Sequence, residues 1–194
     1  SPANTDGGPR YYDTNHDGVL SREDLIYQGN ADPYLYGGLQ NTFYIHGFKL
    51  GVYFAYSLGG KIYNYSELYM AGTYSSNQYR YMANSWHPVR NPDSDLPRAG
   101  AVQVHVPSDL QVHDASYLRL KNVSVGYTFD LRKRVKWLRD ITLSVSGENL
   151  YLWKKYNGFD PDVSTSSSNS ALRRVDIGAY PKPRTIIFSL QIRY

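Results

Sequence analysis

The chain contains no cysteine among its 194 residues. A disulfide framework and a Cys-ligated zinc site are therefore both excluded. It also lacks any apolar run of the roughly 18 residues that a transmembrane helix requires. That absence excludes a helical membrane protein and nothing more. Helical periodicity is scarce too: Leu131, Val135 and Leu138 share one face of a short turn, and little else does. The five histidines, at positions 16, 46, 87, 105 and 113, show no ligand spacing. No Ser/His/Asp set and no pair of carboxylates is spaced for catalysis, so the sequence predicts no enzyme.

Charge of one sign is also limited, with a formal net charge of +4. The densest basic stretch is Arg132-Lys133-Arg134-Val135-Lys136-Trp137-Leu138-Arg139. It sits in no nucleic-acid-binding motif, so it reads as a solvated or lipid-headgroup-facing turn and no nucleic acid is expected. The opening residues Ser1-Pro2-Ala3-Asn4 do not read as a signal peptide. The expectation is that such a segment has been removed or that the chain begins inside a longer protein.

Aromatic residues are what the sequence has in excess: 20 Tyr, 3 Trp and 6 Phe, together 15%. Tyr and Trp collect where apolar and wet surroundings meet, and membrane barrels use them as girdles. The 41% hydrophobic content, 20% charge and mean hydropathy of −0.53 suit a soluble protein. They suit a β-barrel equally, because its strands alternate apolar and polar side chains.

Period-2 segments are plentiful. Residues 48–59 place Phe48, Leu50, Val52, Phe54, Tyr56 and Leu58 on one face, with small or polar residues opposite. Residues 34–45 set Leu39, Phe43 and Ile45 against Gly38, Gln40 and Thr42. The intervening His46-Gly47 is a tight hairpin connection. Residues 117–129 and 141–149 alternate in the same way. The last segment, 184–194, sets Ile186, Phe188, Leu190, Ile192 and Tyr194 against Thr185, Ser189, Gln191 and Arg193, with Ile187 out of pattern. Each is about the length of a tilted membrane strand, roughly 9–11 residues.

The connections alternate in length. His46-Gly47 and residues 130–140 are short, whereas 60–116 and 151–183 are long and rich in Pro, Ser, Asn and Tyr. Short turns on one side and long loops on the other mark an outer-membrane barrel. The predicted fold is all-β: the C-terminal strands of an antiparallel transmembrane β-barrel with long extracellular loops.

Residues 13–24 follow the calcium-loop spacing D-x-[DN]-x-[DN]-G. Asp13, Asn15 and Asp17 offer side-chain oxygens at alternate positions, Val19 its carbonyl, and Gly18 the sharp turn. Asp24 stands where a bidentate Glu is usual, with Glu23 one place early, and Ser21 can cap a turn containing Asp24. A structural Ca2+ in an outer loop is favoured over an ion-free Asx turn. Pro9-Arg10-Tyr11-Tyr12 reads as extended, so the preceding helix of an EF-hand is absent. The long loops also hold Tyr63, Tyr65, Tyr69, Tyr79, Tyr81 and Trp86, then Trp153 and Tyr156. Sugar rings could stack on them, but girdle and loop packing is the favoured role.

Taken in order, several stretches resemble the SusC/RagA-type TonB-dependent outer-membrane transporters. They are Arg10-Tyr11-Tyr12-Asp13-Thr14-Asn15, Gly29-Asn30-Ala31-Asp32-Pro33, Gly47-Phe48-Lys49-Leu50 and Trp86-His87-Pro88. Next come Ser116-Tyr117-Leu118-Arg119-Leu120-Lys121-Asn122-Val123, Gly147-Glu148-Asn149-Leu150, Gly158-Phe159-Asp160-Pro161 and Ala179-Tyr180-Pro181-Lys182-Pro183-Arg184-Thr185. The resemblance implies a barrel of about 22 strands with a plugged lumen. It implies import of an oligosaccharide or peptide, a SusD-like lipoprotein over the outer mouth, and TonB as energy source. Plug, N-terminal strands and the TonB-engaging segment would lie outside these residues. Phe188, Leu190, Ile192 and Tyr194 would form the signal read by the barrel-assembly machinery. The rival readings are a secreted, calcium-stabilised β-sandwich binding carbohydrate or protein, and a passive porin.

Overall fold

The computed structural model describes residues 7–9, 11–71, 77–100, 108–163 and 173–194. Of the positions named above, the first four residues, Arg10 and His105 lie outside the described residues. The strands are β1 Leu35–Ile45, β2 Phe48–Leu58, β3 Lys61–Asn64, β4 Val112–Asp114, β5 Tyr117–Asp130, β6 Asp140–Lys154, β7 Val175–Asp176 and β8 Thr185–Arg193. One helical turn, α1, covers Glu67–Met70. No helix among the described residues is long and apolar enough to cross a membrane.

The chain divides into two compact units. The larger sheet lies in the unit made of Asp32–Lys61, Asp114–Asp162 and Tyr180–Tyr194. It has five strands in the order β1-β2-β5-β6-β8, each antiparallel to the next. The hairpin between β1 and β2 has φ of 46° at His46 and 87° at Gly47. Two left-handed residues make a type I′ turn, whose twist matches the strands it joins.

The register lines up side chains across the whole sheet. Phe43, Leu50, Val125, Val145 and Phe188 form one transverse row. The next row down that face is Ile45, Phe48, Tyr127, Leu143 and Leu190. Rows of the other face read Thr42, Gly51, Ser124, Ser146, Ile187 and Gln40, Tyr53, Asn122, Glu148, Thr185. Ile187 is thus an apolar residue on the polar face, opposite Ser146.

A bulge preserves this division. The register slips at Lys121 between β2 and β5, and at Lys121 and Asn149-Leu150 between β5 and β6. Asn149 takes a left-handed φ of 52° there. A slip in a period-2 strand exchanges the faces beyond it. As a result Leu120 and Leu118 rejoin Phe54 and Tyr56 on the apolar face, with Tyr151 and Trp153 beside them. The alternation read from sequence stopped at Asn149, whereas β6 runs on to Lys154.

The other unit comprises Ser1–Ala31, Ile62–His113 and Val163–Ala179. It is built around a small sheet of order β4-β3-β7, in which β3 and β7 are parallel through Tyr63–Val175 and Asn64–Asp176. Its centre holds Ile62, Leu68 and Met82 together with buried Asn64, Glu67, Gln111 and Asp176. The stretch read as loop over 60–116 therefore carries β3, α1 and β4. Elements of three or four residues are too short to show a countable period.

Candidate functional site

The larger sheet is a wall with two unlike faces. Apolar side chains on one face stay open: Phe43 is 50% exposed, Val125 45%, Leu143 49% and Phe188 78%. A β-sandwich would bury such a face against a second sheet. Aromatic pairs lie at both ends of this face. Phe48 and Tyr127 have ring centroids 4.5 Å apart, Tyr127 and Phe129 4.6 Å, and Tyr151 and Trp153 4.6 Å. Trp153, placed by the sequence in a long loop, is a strand residue of this girdle-like set. The opposite face is mainly small or polar, with Tyr53 and Ile187 among the exceptions, and Thr128 and Thr142 hydrogen-bond across it at 2.9 Å.

Two stretches quoted separately above meet within this unit. Arg119 of β5 donates through Nη2 to Asp160 Oδ1 at 2.6 Å, and both side chains are almost fully buried. Asp160 also accepts from the backbone N–H of Asp162 at 2.9 Å. Tyr156, for which a platform was the less favoured reading, is only 2% exposed, so no ligand can stack on it. Lys154 Nζ donates to the carbonyl of Tyr156 at 2.9 Å and to that of Gly158. These contacts fold the chain after β6 back onto its own strand end. Sequence reasoning gave Arg119 and Asp160 no role; a charge in a strand beside apolar neighbours was the available signal.

In the other unit the tyrosines gather around Glu67. His113 Nε2 lies 2.6 Å from Glu67 Oε2, and Tyr81 donates to Glu67 Oε1 at 2.8 Å. Glu67 is 2% exposed. Burial, and then the hydrogen bond to Glu67, push the Tyr81 phenol well above its ordinary value. Burial also raises Tyr79 and Tyr63. Tyr79 stacks on Tyr81 at 5.4 Å, and Tyr65 meets Tyr69 at 5.5 Å. These rings pack against one another within the unit, although Tyr69 stays exposed.

The acidic loop is ordered by its own backbone. Asp13 accepts from the N–H groups of Asp17 at 3.2 Å and Gly18 at 2.8 Å, and Asp17 from that of Val19 at 2.7 Å. Asn15 donates to Asp17 at 2.8 Å. Asp24 accepts from Thr14 N–H at 2.8 Å and Ser21 N–H at 2.7 Å, completing the capping box foreseen with Ser21. Those two backbone donors, Ser21 first, hold the Asp24 carboxyl below its ordinary range. Among the described residues no three His, Cys, Asp or Glu side chains converge as a metal-binding group. The donors fit a hard cation by type, all being oxygen.

In β8, Phe188, Leu190 and Ile192 point to the apolar face in register with Val145, Leu143 and Ile141. Tyr194 follows the strand and is 95% exposed.

No family model matches the chain. Individual proteins do match it along nearly its whole length. TonB-dependent receptor P26 of Formosa agariphila is 32% identical over 198 residues, covering 97% of this chain and 20% of that protein. TonB-dependent receptor SusC of Bacteroides thetaiotaomicron is 23% identical over 193 residues, covering 95% of this chain and 17% of SusC. Among solved structures, the RagAB peptide transporter superposes with a TM-score of 0.74 at 23% identity, over 90% of this chain and 19% of that one. The RagAB peptide importer in its closed-closed state gives 0.72 over the same shares. The chain spans about a fifth of the length of these proteins. Over nearly its whole length the chain resembles a stretch of the SusC/RagA-type TonB-dependent transporters, and its sheet is antiparallel like theirs. The relatives are named as receptors and transporters, in keeping with the expectation of a non-enzyme.

Proposed function

We propose that the chain supplies wall strands and outer loops to an outer-membrane, TonB-dependent importer of a large nutrient, an oligosaccharide or a peptide. The observation that carries this reading is the two-faced sheet with short connections at one end and long ones at the other. Every residue of the edge strands β1 and β8 is exposed. Long open edges of this kind call for further strands, as a closed barrel provides. In this reading the open apolar face meets outer-membrane lipid in a Gram-negative bacterium. TonB acts through the parent protein's other parts, and a SusD-like lipoprotein covers the outer mouth. The test is growth and uptake on candidate glycans and peptides after deleting the parent gene, its SusD-like neighbour or TonB. Loss of the same uptake in all three is expected. Uptake indifferent to TonB would favour a passive porin.

Two subsidiary assignments go with it. Phe188, Leu190, Ile192 and Tyr194 act as the assembly signal, supported by the alternation of β8, which Ile187 alone interrupts. Deleting Tyr194 should then lower the amount of protein in the membrane before it lowers transport per molecule. Asp13, Asn15, Asp17, Val19 and Asp24 hold a structural Ca2+, supported by oxygen donors at the calcium-loop spacing. Calcium absent from the purified protein, with stability unchanged by chelator, would remove that assignment.

A further inference from the structure

A cleft of about 640 Å³ lies within the smaller-sheet unit, lined by Met82, Ser85, Trp86, His87, Arg90, Asn91 and Arg98 among others. Its volume is in the range of small-molecule sites. The loop that forms it is tightly tied. Trp86 N–H donates to the Leu96 carbonyl at 3.0 Å, and His87 and Asn91 exchange backbone bonds of 3.2 and 3.1 Å. Ser94 Oγ donates to the Asn84 carbonyl at 2.6 Å. Gly7 lies so close to the indole that a Cβ there would stand 2.1 Å from Trp86 Cε3. Arg98 N–H donates to the Gly7 carbonyl at 2.7 Å, which fixes the backbone of that arginine.

The chemistry of the lining is one-sided. His87 Nδ1 accepts from the N–H groups of Val89 and Arg90 at 3.2 and 3.3 Å. The ring therefore carries its proton on Nε2 and offers a donor there. Asn91 Nδ2 is committed to the Ser85 carbonyl at 3.3 Å. Arg90 and Arg98 are exposed, and among the described residues neither has an ion-pair partner. Among the described residues no Asp or Glu lines the cleft. Two guanidinium forks and an imidazole N–H beside a fixed indole suit a planar oxyanion carried on a ring.

We propose that this cleft is a subsite for a carboxylate on the incoming nutrient. The uronic acid of an acidic oligosaccharide and the C-terminus of a peptide present the same group. The assignment rests on the import reading, and it names the substrate chemistry that reading leaves open.

The full-length protein in detergent is titrated calorimetrically with two probe pairs. One pair is a glucuronic-acid-containing disaccharide and its glucose counterpart; the other is the dipeptide Gly-Tyr and its C-terminal amide. One charged probe should bind at least about tenfold more tightly than its neutral partner, as charge-assisted hydrogen bonds require. R90Q/R98Q should abolish that preference and R90K/R98K should retain part of it. Preference for the disaccharide identifies the uronate source, and preference for the dipeptide the peptide source. Equal binding of charged and neutral probes by the unmodified protein overturns the proposal, whether or not the variants fold. So does a preference that survives in a folded R90Q/R98Q. Binding needs no TonB, so a failure here leaves the TonB-dependent uptake result to be judged separately.

Discussion

Arg119 and Asp160 are the residues on which the local structure after β6 most depends. Each is a charge out of water, compensated by a partner 2.6 Å away. Removing one member of such a pair leaves the other buried and unpaired, at a cost of about 3–5 kcal/mol. Asp160→Ala and Arg119→Ala should therefore each lower the thermal midpoint of the purified protein sharply. The apolar pair Arg119→Met with Asp160→Leu should lose less than either single variant. Tyr81 gives a second prediction at this scale. Its pKa is raised in the folded chain, so its contribution is complete below its ordinary value of 10.0. That contribution is lost as pH rises through the higher folded value. An ultraviolet tyrosinate titration should show late-ionising phenols that return to ordinary behaviour on unfolding, and fewer of them in Tyr81→Phe. A titration with no late phenols would contradict the buried Tyr81–Glu67 contact.

At the scale of elements, the two faces of β6 make different demands on neighbouring positions. Val145 belongs to the apolar row and Ser146 to the polar one. An arginine facing lipid near the bilayer centre costs about 2–4 kcal/mol, and one facing the lumen far less. Val145→Arg should thus reduce assembled protein in the outer membrane, while Ser146→Arg should assemble near normally. Strands β1, β2, β5 and β8 were legible in the sequence because their alternation is long and nearly unbroken. The end of β6 was not, because the bulge at Asn149-Leu150 interrupts the period that reveals a strand. Nor was the small sheet, since β7 has only two residues and its parallel pairing with β3 joins positions far apart in the chain. The Arg119–Asp160 pair was hidden for the same reason: 41 residues separate its members. The capping box at Ser21 and Asp24, being local, was visible in advance.

For the whole molecule, the central claim is that one face of this sheet meets lipid. Sequence alternation, cross-strand register, the exposed apolar rows and the likeness to RagAB all bear on it. These 194 residues hold no cysteine to compete with an introduced thiol, and any cysteine elsewhere in the full-length protein would first be replaced by serine. Cysteines would be placed singly at positions 142 through 146 in the full-length protein, spin-labelled, and reconstituted in bilayers. Collision with lipid-dissolved oxygen and with a water-soluble nickel complex would then be compared by electron paramagnetic resonance. The account predicts a period of two: labels at 143 and 145 favour oxygen, and those at 142, 144 and 146 do not. Equal access of the nickel complex to all five positions would contradict it.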